Sequence, residues 1–562
     1  MRREVSVVNK KVCSFPILFA LLALLIGTCA VVFPASAQAA PTSTGSITVS
    51  GTVASSYDAY QIFSANVVDS DNDAKIATDL GWASDAVRDA ALSVLHSAGM
   101  PNFQTTAQEA AEWLNTDSHL TSALSAQLAR SLQSSGAVSV ALNAGTEAKL
   151  LCGYWLIVAD DDAIAQGEAG TAPIMALVGG SAVTVKPKAA TPKVAKHVLE
   201  DSTAAWGKAA DATVADDLYW RLSATVPAGL SAYDAYAVRF VDTMSAGLDP
   251  SKVAASMHVY VAAGTDGGFD AVQTGKDGRA GTEPAQGWTD ITAQCTTKVA
   301  ADGTFTVRTG DLIAALGGAD AFTAGARVVA VYNAPLSGGC NHGIARGNPN
   351  EVYLRYPRSP LADQSGDAGF TRTPSDDACA YTWDLALTKR GSDGDKPLSG
   401  AVLSIADDRG RTLAADGTWD AQGKATVTTG EDGRVTVSGV DSGKLEVREL
   451  KAPKGYTAFE GTRSVTVKAE GLDVDQVAAA KPKLTITAES PLRADSADGS
   501  TGSLEASLIN TPTGTPPSIT TGGFMPSTGD MAMYAAAAAA VAGAALIVVA
   551  LLVKRGGGSH KE

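Results

Sequence analysis

From Leu218 the chain reads Leu-Tyr-Trp-Arg-Leu-Ser-Ala-Thr-Val226, with Trp220, Leu222, Ala224 and Val226 on one parity. A period of two places alternate side chains on opposite faces of a strand, so one face is apolar and the other is not. The same pattern recurs at Ala235–Val241, Met257–Val261, Val328–Tyr332 and Val352–Tyr356. It continues at Trp383–Thr388, Ala401–Ile405, Gly433–Val440, Lys444–Glu449, Thr462–Val467, Leu484–Ala488 and Leu504–Ile509, with turn residues between the runs. A chain of short half-buried strands has few solutions other than sandwiches of two sheets. Residues 41–190 are a variation. Gly45–Gly51, Tyr57–Val68, Leu150–Val158 and Ile174–Val185 read as strands, while Ala86, Val87, Ala90, Leu95, Leu120, Leu124, Leu128 and Leu132 within 82–134 carry helical spacing. The reading is mainly β, with tandem sandwiches and a helical insert in the first.

The two long apolar runs lie at the ends. Arg2, Arg3, Lys10 and Lys11 precede an apolar stretch from Phe15 to Phe33 and a small-residue exit, Ala35-Ser-Ala-Gln-Ala-Ala40. That order reads as a secretory signal over residues 1–40, with a lipoprotein-type signal at Ile26-Gly-Thr-Cys29 as the rival. Met531 to Val553 is long enough to cross a bilayer as a helix, and Lys554-Arg555 behind it assigns the tail to the cytoplasm. The chain between them is expected outside the cell. Formal net charge is −15 over the 562 residues, an acidic balance that excludes a nucleic-acid binder with a basic face. Cys13 and Cys29 leave with the signal, and no CxxC spacing suggests zinc. An exported location permits disulfides, and one bond is expected among Cys295, Cys340 and Cys379. Asp69, Asp71 and Asp73 hint at a calcium loop, but Ala74 and Leu80 stand where glycine and glutamate are needed, so no metal is expected.

Met525-Pro-Ser-Thr-Gly529 stands just before the apolar C-terminal run. The pentapeptide, apolar helix and basic stop resemble the LPxTG signal read by sortases, with Met for Leu; an ordinary anchor helix is the rival. The resemblance implies cleavage between Thr528 and Gly529 and transfer of the Thr528 acyl group to an amine. Residues 379–511 also carry motifs in order: Asp384-Leu-Ala-Leu-Thr-Lys389, Pro397-Leu-Ser-Gly-Ala-Val-Leu403, Glu446-Val-Arg-Glu449-Leu-Lys-Ala-Pro-Lys-Gly-Tyr456 and Ser507-Leu-Ile-Asn510. These resemble the CnaB-type domains of Gram-positive surface proteins. By that resemblance Lys389 and Asn510 form an internal isopeptide bond assisted by Glu449. Burial favours such chemistry, since it lowers a lysine pKa and raises that of a carboxyl. The bond would close a loop of 121 residues, which by chain-entropy reasoning contributes roughly 4–5 kcal/mol.

Residues 191–378 resemble the D2-type domain of sortase-assembled backbone pilins through Lys193-Val-Ala-Lys196-His-Val, through Tyr233-Asp-Ala-Tyr236 with Phe240-Val-Asp242-Thr-Met, and through Gly347-Asn-Pro-Asn-Glu-Val-Tyr-Leu-Arg-Tyr356. There Lys196 and Asp242 match the family's nucleophile and acid. Arg358 falls where the acceptor Asn is expected. Asn348 and Asn350 lie on the preceding strand, about 25 Å short at 3.3 Å per residue. No standard isopeptide bond is therefore expected in this domain. The junction Val183-Thr-Val-Lys186-Pro187-Lys188 resembles the pilin motif, with Lys188 as acceptor and Lys186 as the alternative; two exposed linker lysines would look the same.

The resemblance implies tandem Ig-like/CnaB-like sandwiches: 41–190, 191–378 and 379–511, followed by a Pro/Gly/Thr linker at 512–524 and the sorting segment at 525–562. It implies a structural backbone subunit of a cell-wall pilus on a Gram-positive surface, without turnover and without cofactors. Expected partners are class C and housekeeping sortases, further copies of the chain, ancillary pilins, peptidoglycan and host surface ligands, with no nucleic acid. A minor or basal pilin, or a singly anchored adhesin, is the alternative. A surface hydrolase within 41–185 finds no nucleophile–base spacing there.

Overall fold

The computed structural model describes residues 43–514 apart from 71–73, 117, 189–190, 276 and 323–324. The signal segment, most of the linker, Thr528, Gly529 and the apolar C-terminal run lie outside the described residues. No helix among the described residues is long and apolar enough to cross a membrane.

The N-terminal block is built on the strands Ser56–Asp69 and Gly153–Ala159, flanked by Lys75–Trp82, Val140–Asn143 and Ile174–Val178. This sheet is buried on both faces. Leu156 and Val158 point to the helices, where they meet Val87, Leu95, Leu124, Leu128 and Leu132. Trp155 and Ile157 point the other way, to Ile47, Val49, Leu142, Leu150 and Val178. That is why Gly153–Ala159 is continuously apolar while the strands elsewhere alternate. The second sheet is small: Glu147–Leu151, Thr44–Val49 and Val183–Val185, the last pair parallel.

The expected helical insert is three helices, Asp85–Ser97, Ala107–Asn115 and Ser122–Ser135. Their starts are set by side chains that accept orphan amides: Ser84 from Val87, Thr106 from Glu109 in a reciprocal capping box, and Thr121 from Leu124. Leu120 therefore precedes a helix instead of lying in one.

The middle block is two facing sheets. One has the order Ala205–Gly207, Lys193–Glu200, Tyr219–Val226, Ala326–Asn333, His258–Ala263, Thr289–Asp290. The other contains Ala209–Asp211, Asp376–Tyr381, Asn348–Pro357, Arg239–Met244, Thr304–Arg308 and Thr296–Val299, with Phe370–Arg372 on the outer part of Asn348–Pro357. Trp220, Leu222, Phe240, Phe305, Tyr332, Val352 and Leu354 fill the space between them. The expected boundary at 378/379 cuts through the strand Asp376–Tyr381, which belongs to this block because it pairs with Asn348–Pro357.

The C-terminal block places Trp383–Gly391 between Arg434–Val440 and Ser503–Pro512. The facing sheet is centred on Val402–Ala406, Gly443–Lys451 and Thr462–Glu470. The block's first and last long strands thus run side by side and parallel, Lys389 opposite Leu508 and Gly391 opposite Asn510. The blocks are joined by polar contacts. Asp211 accepts from the Trp383 indole at 2.6 Å and from the Ser442 hydroxyl at 2.6 Å, and Arg409 reaches Asp216 at 3.0 Å. At the other junction Arg130 reaches Asp234 and the Pro360 carbonyl, both at 3.0 Å.

The expected disulfide is not formed: Cys152, Cys295, Cys340 and Cys379 are all free thiols. Cys340 packs into the middle core with Cys295 at its margin, whereas Cys379 faces the core of the C-terminal block. The core stabilises this fold by close packing. Leu156→Ala, at a fully buried position between helices and sheet, should cost about 2–5 kcal/mol. The exposed Val140→Ala should stay within about 0.5 kcal/mol. Urea unfolding followed by tryptophan fluorescence checks the contrast.

Candidate functional site

Two clusters of buried polar side chains sit inside the middle and C-terminal sandwiches. In the C-terminal one, Lys389 points inward from Trp383–Gly391 because Leu385, Leu387 and Lys389 share one parity. Asn510 points inward from Ser503–Pro512 on the same parity as Leu504, Ala506 and Leu508. Glu449 comes from the facing sheet, on the parity of Leu445 and Val447. The Lys389 and Glu449 side chains have no exposed surface, and Asn510 is buried.

The Asn510 amide donates from Nδ2 to both Glu449 oxygens, at 2.8 and 3.0 Å. Lys389 Nζ is 3.7 Å from Glu449 Oε1 and donates to the Leu508 carbonyl at 3.1 Å. Glu449 also accepts the Phe459 amide at 3.1 Å, which fixes its carboxyl plane. Beneath the lysine, Gly433 has φ +71°, and a Cβ there would come within 2.9 Å of the Lys389 carbonyl. Only glycine fits both demands. Loss of hydration on burial brings the Lys389 amine down to about 8, against an opposing pull from Glu449. An appreciable share of this amine is therefore unprotonated near neutrality, as a nitrogen nucleophile requires.

The middle cluster also contains a lysine and a carboxylate. Lys196 and Asp242 are both fully buried and are hydrogen-bonded to each other. Lys196 Nζ lies 5.5 Å from the ring centroids of Trp220 and Tyr332. Desolvation lowers its pKa to about 8 and raises that of Asp242 above the ordinary carboxylate value. The Tyr332 hydroxyl is 2.9 Å from Lys196 Nζ and 3.1 Å from Asp242 Oδ2.

Here the sequence reading of where Asn350 lies needs correction, since it is not about 25 Å from Lys196 and Asp242. Asn350 is fully buried and its Nδ2 donates to the Tyr332 hydroxyl at 2.9 Å. Lys196 Nζ and Asn350 Nδ2 thus share one oxygen neighbour and lie within about 6 Å of each other. The distance argument placed the cluster at the far end of Asn348–Pro357, but Asp242 pairs opposite Val352 and Met244 opposite Asn350. Asn350 was identifiable from parity, since it shares the inward face with Val352, Leu354 and Tyr356. Arg358 is elsewhere: its guanidinium donates to the Asp161 carbonyl at 3.0 Å, at the junction with the N-terminal block. Asn348 holds a loop, through Asn341 at 2.8 and 2.9 Å. Lys208, also missed, pairs with Asp376 and donates to the Lys196 carbonyl at 2.8 Å.

Lys186 and Lys188 have the opposite environment. Both are exposed immediately after the edge strand Val183–Val185, and neither forms an ion pair among the described residues. Near Asp69 a lysine supplies the positive charge: Lys75 Nζ donates to Asp69 at 3.1 Å and to the Gly179 and Ser181 carbonyls at 2.5 and 2.7 Å. No cluster among the described residues has the make-up of a metal site.

The Lys389 environment sets a pH dependence. Asn510→Ala leaves Lys389 a free amine beside Glu449, with its folded pKa near 8 against an ordinary value of 10.5. Between those values the unfolded chain holds a proton that the folded chain has shed, so stability rises with pH there. Unfolding of this variant should show its C-terminal transition more stable at pH 10 than at pH 8, about in proportion to that shift.

Residues 384–481 match the family described as SpaA, prealbumin-like fold domain. A 128-residue segment is 30% identical to the trypsin-resistant surface T6 protein of Streptococcus pyogenes serotype M6, covering 21% of this chain and 22% of that one. The match thus spans about a fifth of the length of that curated relative. The solved T6 backbone pilin of that serotype superposes with a TM-score of 0.44 at 16% identity, over 84% of this chain and 98% of that one. The full-length major pilin SpaD from Corynebacterium diphtheriae gives 0.41 at 15% identity, over 85% and 100%. Residues 384–481 thus match the SpaA prealbumin-like family, and the proteins that this chain is similar to are surface and backbone-pilin proteins of Gram-positive bacteria.

Proposed function

We propose that this chain is the backbone subunit of a covalently polymerised, wall-anchored pilus, and that its middle and C-terminal sandwiches each carry an internal Lys–Asn isopeptide bond. The observation that carries the reading is the Lys389–Glu449–Asn510 cluster, a nucleophile, proton carrier and acyl donor buried together. Neutral Lys389 Nζ attacks Asn510 Cγ. Glu449, next to both nitrogens, takes a proton from the attacking amine and delivers one to Nδ2. The C–N bond to Nδ2 breaks, ammonia leaves and an amide remains. The grouping of Lys196, Asp242 and Asn350 supports the same reaction in the middle sandwich. Each subunit performs the step once, on itself, without turnover.

Polymerisation uses an amine of the other kind. The exposure of Lys188 and Lys186 beside an edge strand supports their role as acceptors. A class C sortase would join Thr528 of one copy to Lys188 of the next, and a housekeeping sortase would attach the finished fibre to peptidoglycan. Tension along such a fibre would pass through covalent bonds inside each sandwich instead of peeling strands.

Intact mass tests the internal chemistry. Two bonds lower the mass by about 34 Da, an ammonia for each, and one bond by about 17 Da. A full-mass chain overturns the reading for both sandwiches. Polymerisation has its own test, the electrophoretic ladder of wall extracts. Lys188→Ala should abolish the high-mass ladder while leaving surface anchoring intact. A ladder that persists in Lys188→Ala and in the double variant with Lys186→Ala would make the chain a minor subunit or a singly anchored protein.

A further inference from the structure

The middle cluster holds one group that the C-terminal cluster lacks. The Tyr332 hydroxyl stands among all three reacting partners: 2.9 Å from Lys196 Nζ, 3.1 Å from Asp242 Oδ2 and 2.9 Å from Asn350 Nδ2. In the C-terminal cluster the carboxylate touches the acceptor amide directly. In the middle cluster no hydrogen bond joins Asp242 to Asn350; the phenol bridges them. Asp242 Oδ1 and Asn350 Oδ1 are buried without partners, so no other side chain links the two groups.

The geometry points to Tyr332 as a catalytic proton relay for the Lys196–Asn350 bond, carrying a proton from Asp242 to the departing nitrogen. This rests on the reading that the bond forms. The Lys196–Asp242 pair first exchanges a proton, leaving a neutral amine and a carboxylic acid. Nζ attacks Asn350 Cγ to give a tetrahedral centre. Tyr332 gives its proton to Nδ2 and recovers one from Asp242, which becomes a carboxylate. That carboxylate takes a proton from the attacking nitrogen, with which it is in contact. The C–Nδ2 bond then breaks and ammonia leaves. Both the acid and the phenol are regenerated, and the amide is the only new bond. Burial and the neighbouring Asp242 raise the Tyr332 pKa, so the phenol holds a transferable proton throughout the neutral range.

The position of the tyrosine follows from strand pairing. Tyr332 lies on Ala326–Asn333 opposite Trp220, and Leu222 on the same partner strand pairs opposite Lys196. The phenol and the amine therefore belong to one sheet, while Asp242 and Asn350 belong to the other. Phe305 packs edge-on against the Tyr332 ring with centroids 4.9 Å apart, which fixes the plane in which the hydroxyl lies.

The test follows bond formation in the full chain after cell-free synthesis, with samples quenched over time and mapped by peptide mass. The Lys389–Asn510 peptide in the same molecules is an internal clock. Tyr332→Phe should slow the Lys196–Asn350 peptide about 100-fold, the scale of general acid–base catalysis, and leave the clock unchanged. Tyr356→Phe removes another buried hydroxyl of the same sandwich, bonded to the Gly167 carbonyl, and should change neither. Where loss of the hydroxyl unfolds the sandwich, 3-fluorotyrosine in place of tyrosine keeps shape and hydroxyl but gives a more acidic phenol; it should speed the middle bond relative to the clock. Equal rates in wild type, Tyr332→Phe and the fluorinated chain would overturn the relay. A wild-type chain that never yields the Lys196–Asn350 peptide would instead overturn the reading beneath it.

Discussion

A lysine amine kept dry inside a sandwich is the constraint around which this structure is organised. Stripping hydration from an ammonium is costly, and two responses are open to a folded chain: pair the charge or shed the proton. Lys196 and Lys389 do some of each. Each has a carboxyl neighbour, and each is left with a pKa near 8 instead of 10.5. Removing either carboxyl would take away the main pull that keeps the proton on the amine and lower its pKa further. Conversion to an amide would end the conflict, because a neutral amide has no charge to solvate.

The two clusters solve the same problem with different geometry. In the C-terminal sandwich Lys389 and Asn510 stand on adjacent parallel strands of one sheet, and the carboxyl reaches across from the other. A link there ties the first strand to the last in the plane of the sheet. In the middle sandwich the lysine is on one sheet, while the carboxyl and the amide are on the other. A link there would staple sheet to sheet through the core. The crossing distance explains why a tyrosine ring lies in the gap. Its flat body fills apolar space while its single hydroxyl serves the polar groups at the centre.

Between blocks the contacts are polar and numerous. Arg411 forks onto Asp216, Arg409 reaches the same carboxylate, and Asp211 collects an indole and a serine from the next block. At the first junction Arg130 and Arg358 play the corresponding part with backbone carbonyls. Charge-assisted hydrogen bonds of this kind are directional, so they hold relative orientation better than an apolar seam of equal area.

Much of this was legible in the order of residues alone. Alternation announced the sandwiches, because a half-buried strand must present one face to water. The CnaB-like motifs around Lys389, Glu449 and Asn510 marked these three residues before any contact was known. The three-helix insert was visible as periodicity, although its division required the caps at Ser84, Thr106 and Thr121. Other features depended on which strands lie opposite one another. Counting along Asn348–Pro357 put the Lys196–Asp242 cluster at the wrong end of the strand, because distance along a chain says nothing of where a partner strand crosses it. Tyr332 carried no signal of its own in an apolar run, Val328–Tyr332, and became chemically distinct only when pairing set its hydroxyl between three polar groups. The thiols taught the same lesson in reverse: location in one predicted domain suggested a bond, whereas Cys340 and Cys379 pack into different cores and all the described cysteines are free. Periodicity, caps and parity are local and are written in the chain itself, whereas register across two sheets is a property of the assembled core and is settled only when it closes.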